Sequence, residues 1–287
     1  MNRFYIILYL LFFVFGTFSL NIGVSIPPEK YFIEKIAGNE VNNIIVIIKP
    51  GMSAHNFEIT PKQLVNLSKA DIYFAIGLEF ENILISKIKN INKNIFICDL
   101  SEEIEKINMK NHFHHNEDED FVNKIKDPHI WLSVNNVQKM SQKILKILIQ
   151  KYPNKKSIFL KNYNDFILHT VNIDFKIKTI LNKNILNRNF IVFHPSWGYF
   201  AKDYNLNQIP IEIEGKEPNA SELKEILDIS RELHISTVFV EPYHQSNSPK
   251  VIAEFLKAKI RQIYPLAEKW DENLIEVAQK IRESVEK

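Results

Sequence analysis

The chain has 287 residues, of which 45% are hydrophobic and 24% are charged, a composition that indicates a globular protein and excludes a disordered one. The 36 Lys and Arg residues nearly balance the 34 Asp and Glu residues, so the net charge of +2 gives no electrostatic support for nucleic-acid binding. The length allows one large domain or two domains of ordinary size.

Residues 1–20 have the organisation of a secretory signal peptide. A short positive start containing Arg3 precedes an almost unbroken apolar run from Phe4 to Phe15, and small residues follow it. This run is short for a membrane span, which needs about 20 residues, although an uncleaved anchor is the alternative. We predict cleavage near residues 19–21. No cysteine at the end of the run could carry a lipid, so the sequence predicts an unanchored protein exported to the periplasm.

Short apolar strands alternate with helices in residues 21–150. Strands are predicted at 22–26, 44–48, 72–76 and 95–98, and helices from residue 28, at 62–69 and at 80–89. The second strand is entirely apolar, which predicts burial on both faces. Thr60 and Pro61 mark a helix start, with threonine as the cap and proline at the first position. Cys98, the only cysteine, is predicted to be a small buried strand residue.

From residue 136 the apolar residues change to helical spacing, and Pro153 ends that helix. Residues 154–183 contain neither Gly nor Pro, and their apolar residues recur every three or four positions. This pattern predicts a helix about 45 Å long at 1.5 Å per residue. Residues 171–177 also fit the alternation of a strand, but the length and the lack of turn residues favour a helix.

The alternation of strands and helices resumes after this segment. Strands are predicted at 190–193, 208–213 and 237–240, and helices at 220–233, 249–257 and 272–284. We therefore predict an α/β protein with parallel sheets in two lobes, residues 21–150 and 185–287. A long rigid helix in residues 151–184 would join them.

Three histidines, His55, His129 and His194, share a sequence context, because each lies beside an apolar strand-like run and next to a turn residue. In open α/β sheets, ligands bind outside the carboxyl ends of the strands, where the sequence places His55 and His194 directly. Neutral imidazole is the most common side-chain metal ligand, so a cleft between the lobes could hold a metal ion. Each histidine taken singly has the alternative of a hydrogen-bonded structural role.

Three motifs resemble the metal-ligand motifs of the zinc and manganese binding proteins of ABC transporters. They are PGMSAHNFEITP at 50–61, DPHIWL at 127–132 and FHPSWGYF at 193–200. The resemblance extends over about residues 22–281. It implies two α/β lobes joined by a rigid helix, with His55, His129 and His194 binding one divalent metal ion in the cleft. It also implies delivery of that ion to the membrane permease of an ABC transporter.

The resemblance favours zinc over manganese as the cargo, with a manganese or iron ion as the alternative. Manganese-type members of the family tend to carry a carboxylate where His194 stands, and three nitrogen ligands suit zinc. An acidic run with His112, His114 and His115 stands where zinc-type members have a histidine-rich loop. This run could capture zinc weakly as an accessory site, or it could be a solvated surface loop.

The chain departs from the family at the fourth ligand position. The family often has Asp in an Asp-Pro-Leu motif, and here the matching residues are Tyr264, Pro265 and Leu266. Tyrosine is a poor zinc ligand unless it is deprotonated. The fourth position would then be filled by water or by a carboxylate such as Glu241, which has a supporting structural role as its alternative.

The predicted function is capture and delivery by a monomer, without catalysis. The chain has no GxxxxGKS/T phosphate loop, so a separate ATPase would supply the energy of transport. A secreted zinc hydrolase is one rival, because three histidines and an open position also build catalytic zinc sites. The sequence offers no HExxH motif to support it. An adhesion protein of the same fold is the second rival. His169, His234 and His244 are predicted to be structural.

Overall fold

The computed structural model describes residues 20–49, 51–52, 54, 57–109, 125–182, 187–212, 215–242 and 246–285. His55, the three loop histidines His112, His114 and His115, and all but the last residue of the predicted signal peptide lie outside these residues. Among the described helices, none is both long enough and apolar enough to cross a membrane.

The first lobe contains a four-stranded sheet with the order β2-β1-β3-β4, in which every pair of neighbouring strands is parallel, as predicted. The strands are β1 (Leu20–Val24), β2 (Val41–Val46), β3 (Ile72–Ala75) and β4 (Phe96–Asp99). The helices that connect them are α1 (Pro27–Ala37), α2 (Pro61–Leu67) and α3 (Glu79–Ile91). Cys98 is buried on β4, which confirms its predicted position.

Strand β2 departs from the predicted burial on both faces. Of the predicted strand residues 44–48, Ile45, Ile47 and Ile48 are buried as expected, but Ile44 and Val46 are only partly buried. The reason is topological, because β2 is the edge strand of the sheet and has a neighbour on one side only. An all-apolar run does not reveal whether its strand lies in the centre or at the edge of a sheet.

Two consecutive helices follow the first sheet, α4 (Val134–Lys151) and α5 (Lys156–Leu181). Helix α5 has 26 residues, which makes it about 39 Å long. It contacts α1 and α4 of the first lobe and also the C-terminal helix. The strand alternative for residues 171–177 is wrong, because Ile173 and Ile177 are buried while Val171 and Phe175 are exposed, as helical spacing requires.

The second lobe repeats the topology of the first, with a parallel sheet of order β6-β5-β7-β8. Its strands are β5 (Asn189–Val192), β6 (Asn207–Pro210), β7 (Thr237–Val240) and β8 (Lys259–Gln262). Its helices are α6 (Gly198–Asp203), α7 (Ala220–Glu232), α8 (Ser248–Leu256) and α9 (Trp270–Val285). The sequence did not predict β8, because three of its four residues are polar and it shows no apolar run.

Two buried tryptophan side chains, Trp131 and Trp270, form hydrogen bonds that connect the two lobes near the cleft. The Trp131 Nε1–H group donates to the carbonyl oxygen of Pro265 at 2.7 Å, and the Trp270 Nε1–H group donates to the carbonyl oxygen of Trp131 at 2.7 Å. The ring of Trp270 also lies edge-on to Phe32 of α1, with centroids 5.3 Å apart. These contacts hold the start of α9 against the segment that follows His129.

Candidate metal centre

His194 lies between two carboxylates at the carboxyl edge of the second sheet. It follows β5, the strand that lies between β6 and β7, while Glu212 follows β6 and Glu241 follows β7. The His194 Nδ1 atom is 2.7 Å from Glu212 Oε2. Because an ionised carboxylate only accepts hydrogen bonds, the proton of the neutral ring is on Nδ1 and the lone pair is on Nε2.

His129 has the same type of support from Asp127. The Asp127 Oδ1 atom accepts one hydrogen bond from the backbone N–H group of His129 at 2.9 Å and another from its Nδ1 atom at 2.8 Å. The side chains of both residues are almost completely buried. A carboxylate that holds Nδ1–H orients the ring and presents the Nε2 lone pair, which is the arrangement found behind many metal-binding histidines.

The structure brings His129 of the first lobe and His194 of the second together. Their ring centroids are 5.2 Å apart, with 70° between the ring planes. Zinc–nitrogen bonds of about 2.0–2.1 Å in a tetrahedral arrangement would place two such centroids about 5 Å apart. Within the described residues, no group of three His, Cys, Asp or Glu side chains could hold a metal ion. His55, the third predicted ligand, lies outside them.

The segment that leads to His55 contacts the second lobe through Tyr264. The Gly51 N–H group donates to the Tyr264 hydroxyl oxygen at 2.9 Å. Burial and the negative charge of Glu241 raise the pKa of Tyr264, although the hydrogen bond from Gly51 lowers it. In the metal-free protein the phenol is therefore protonated at neutral pH, and its oxygen accepts the hydrogen bond from Gly51.

The electrostatics of the cleft favour positive charge. Burial alone would lower the pKa of His194, but the hydrogen bond to Glu212 and the charges of Glu241, Glu212 and Asp127 outweigh it and raise that pKa. Burial raises the pKa of Glu241, which is 7% exposed, although the charge of His194 and the hydrogen bond from Ser196 Oγ, 2.9 Å long, oppose this rise. Three carboxylates around two imidazoles are suited to stabilise a cation.

Sequence reasoning assigned no role to Asp127 or Glu212. Glu212 was placed inside the predicted strand 208–213, but the observed β6 ends at Pro210, so Glu212 lies just beyond the strand end, where a ligand-supporting residue could have been expected. His169 lies on α5, with its Nε2 atom 2.7 Å from Asp271 Oδ2, a position consistent with the structural role predicted for it. His234 has a positive φ of 52° before β7. His244 lies outside the described residues.

Comparison with known proteins identifies the family of this chain. Residues 22–285 match the family described as ZnuA, zinc-uptake complex component A periplasmic. A high-affinity zinc uptake system protein ZnuA of Bacillus subtilis (strain 168) is 25% identical over 253 residues, which are 84% of this chain and 76% of the relative. A crystal structure of ZnuA has a TM-score of 0.85 and 38% identity, covering 93% of this chain and 99% of the other.

A zinc-bound variant of AdcAII from Streptococcus pneumoniae has a TM-score of 0.80 at 22% identity, covering 93% of this chain and 99% of the other, and so shares the fold. The family match favours metal uptake over the alternative of a secreted zinc hydrolase. Because the match extends over residues 22–285, this chain belongs to the ZnuA family of periplasmic zinc-uptake components.

Proposed function

We propose that this protein binds one zinc ion in the cleft between its lobes and delivers it to the membrane permease of an ABC transporter. The observation that carries the proposal is the approach of His129 and His194 from different lobes to a centroid distance of 5.2 Å. Each ring has its Nδ1 atom hydrogen-bonded to a carboxylate, so both can present Nε2 to one ion. His55 is the proposed third ligand.

Zinc is the preferred cargo because the proposed ligands are imidazole nitrogens. Asp127 and Glu212 accept hydrogen bonds from the two histidine rings. Because these carboxylates are used in this way, nitrogen is the main type of atom left to bind the metal. Manganese favours oxygen ligands, so a manganese ion is the less suitable cargo. Water would complete the tetrahedron that zinc prefers. Glu241 is the carboxylate alternative, but it forms no metal-holding group of three with His129 and His194 in the described part of the chain. The accessory zinc capture by His112, His114 and His115 stays a prediction.

The proposed route begins with export to the periplasm and removal of residues 1–20. The mature monomer would then take up zinc and present it to the permease, while a cytoplasmic ATPase supplies the energy. The family description as a periplasmic component supports this location and this partner.

Protein purified without chelator is expected to contain one zinc ion per chain. Adding zinc to stripped protein should change the tryptophan fluorescence, because the Trp131 ring lies 5.3 Å from the His129 ring. Metal analysis and a fluorescence titration, with magnesium as the control ion, measure both effects. A zinc-free preparation that gives a flat fluorescence titration would contradict the proposal.

Zinc affinity is expected to fall as the pH drops below neutral. Zinc binds the neutral imidazole, and the pKa of His194 is raised above the ordinary value of 6.5. Because the pKa of His194 is higher in the folded than in the unfolded protein, protonation of His194 stabilises the metal-free fold at a pH below its unfolded-state pKa. This stabilisation is lost as the pH rises through the folded-state pKa of His194. Protons therefore compete with zinc at a higher pH than they would at an unperturbed histidine. Titrations at about pH 8 and about pH 5.5 measure this, and equal affinities would contradict it.

A further inference from the structure

We infer that Tyr199 and Gly198, at the start of α6 in the second lobe, position His129 of the first lobe for metal binding. Both residues contact Asp127, through which they would act on His129. The inference rests on the proposed function and adds two positioning residues to it.

The Tyr199 hydroxyl group forms hydrogen bonds with two backbone segments of the first lobe. Its hydroxyl group donates to the backbone carbonyl of Asp127 at 2.9 Å and accepts from the N–H group of Ile107 at 3.3 Å. The Asp127 N–H group in turn donates to the Ile107 carbonyl at 3.0 Å. Tyr199 is 3% exposed, so these hydrogen bonds are protected from water. The hydroxyl group therefore fixes the backbone of the residue that orients His129.

Gly198 allows the Asp127 carboxylate to lie against the start of α6. A Cβ atom added at Gly198 would overlap Asp127 Oδ2 and would lie 3.3 Å from Ile107 Cδ1. The other carboxylate oxygen, Oδ1, holds both the backbone and the ring of His129. The Asp127 side chain is thus held at Oδ1, and its Oδ2 lies where an added methyl group would be. Displacement of the carboxylate by that methyl group would disturb the hydrogen bonds that orient His129.

The same short segment carries the other proposed ligand. His194 precedes Gly198 in a tight turn, in which the Ser196 N–H group donates to the His194 carbonyl at 2.8 Å. The segment thus supplies one imidazole and supports the other across the lobes. If Tyr199 served only in packing, its loss would change stability but not the geometry at the metal.

Replacing Tyr199 with phenylalanine, Tyr199→Phe, removes only the hydroxyl group. We expect zinc affinity to fall about tenfold, the scale typical of losing a supporting hydrogen bond behind a metal ligand. We also expect a changed visible absorption spectrum after cobalt replaces zinc, since that spectrum reports ligand geometry. The matched control is Tyr204→Phe, because Tyr204 directly follows α6, is 5% exposed and donates to Asp174 Oδ1 at 3.2 Å, so its hydroxyl group has a different acceptor from that of Tyr199. This control should retain zinc affinity and the cobalt spectrum.

Gly198→Ala is expected to lower zinc affinity more than Tyr199→Phe, by about a hundredfold, because it displaces the carboxylate itself. If this variant does not fold, the Tyr199→Phe comparison still decides. Unchanged affinity and spectrum in Tyr199→Phe would overturn the inference and leave the proposed function intact. Equal losses in Tyr199→Phe and Tyr204→Phe would also overturn it, by showing a general packing effect. Failure of the unmodified protein to bind zinc would overturn the proposed function and this inference together.

Discussion

Replacing His194 with alanine is expected to lower zinc affinity by about two to three orders of magnitude. Structural zinc sites contribute roughly 10–16 kcal/mol over four ligands, or about 2.5–4 kcal/mol for each ligand. Since about 1.4 kcal/mol corresponds to a tenfold change, the loss of one ligand gives this decrease. Removing His194 would also leave Glu212 without the ring that it holds at 2.7 Å in the interior of the cleft.

The matched control is His169→Ala, which removes a histidine that also contacts a carboxylate. His169 lies on α5 and pairs with Asp271 at 2.7 Å, and its side chain is 43% exposed. Its loss should leave zinc affinity unchanged. Competition titrations against a zinc-binding dye measure both variants. A His194→Ala variant that binds zinc as tightly as the unmodified protein would exclude His194 from the site.

Replacing Trp270 with alanine is expected to destabilise the metal-free protein by about 3–5 kcal/mol, the usual cost of removing a large buried aromatic side chain. Trp270 is 1% exposed, and its ring lies between α9 and Phe32 of the first lobe. The variant also loses the hydrogen bond to the Trp131 carbonyl, which adds about 1 kcal/mol. Chemical denaturation without zinc measures the free energy of unfolding and avoids the stabilisation that bound metal adds.

Trp270→Phe separates the two contributions. Phenylalanine retains most of the apolar contact and loses the indole N–H group, so a loss of about 1–2 kcal/mol is expected. If the Trp270→Ala variant unfolded at nearly the same denaturant concentration as the unmodified protein, the contacts of Trp270 with Trp131 and Phe32 would not stabilise the packing of the lobes. The His194→Ala variant should differ from both Trp270 variants, because its zinc affinity should fall while the metal-free protein stays folded.

Local features of the fold were predictable because they depend on neighbouring residues. Strand β7 was predicted at residues 237–240 and is observed at Thr237–Val240. Helix α2 begins at Pro61 with Thr60 as its cap, as predicted, and the Thr60 hydroxyl oxygen accepts from the Gln63 N–H group at 3.3 Å. The apolar spacing of the long helix α5 was sufficient to predict it.

Other features could not be predicted from neighbouring residues. They are the edge position of β2, the polar strand β8 and the carboxylates that orient His129 and His194. Each depends on residues that meet only after folding, as when Tyr199 reaches the carbonyl of Asp127, 72 positions away. Glu212 reaches His194 only because β5 and β6 are neighbours in the second sheet. The spacing of residues along the chain contains no information about such distances.

The sequence by itself determined the alternating α/β elements, the long joining helix and, through three motifs, the family and its candidate histidines. Periodic burial and local capping specify such elements within a few residues of chain. Only the tertiary structure decided that His129 and His194 meet across the lobes, which carboxylates orient them, and that Tyr199 supports that arrangement. The physical reason is that sheet order and lobe docking, and not chain neighbours, set these distances.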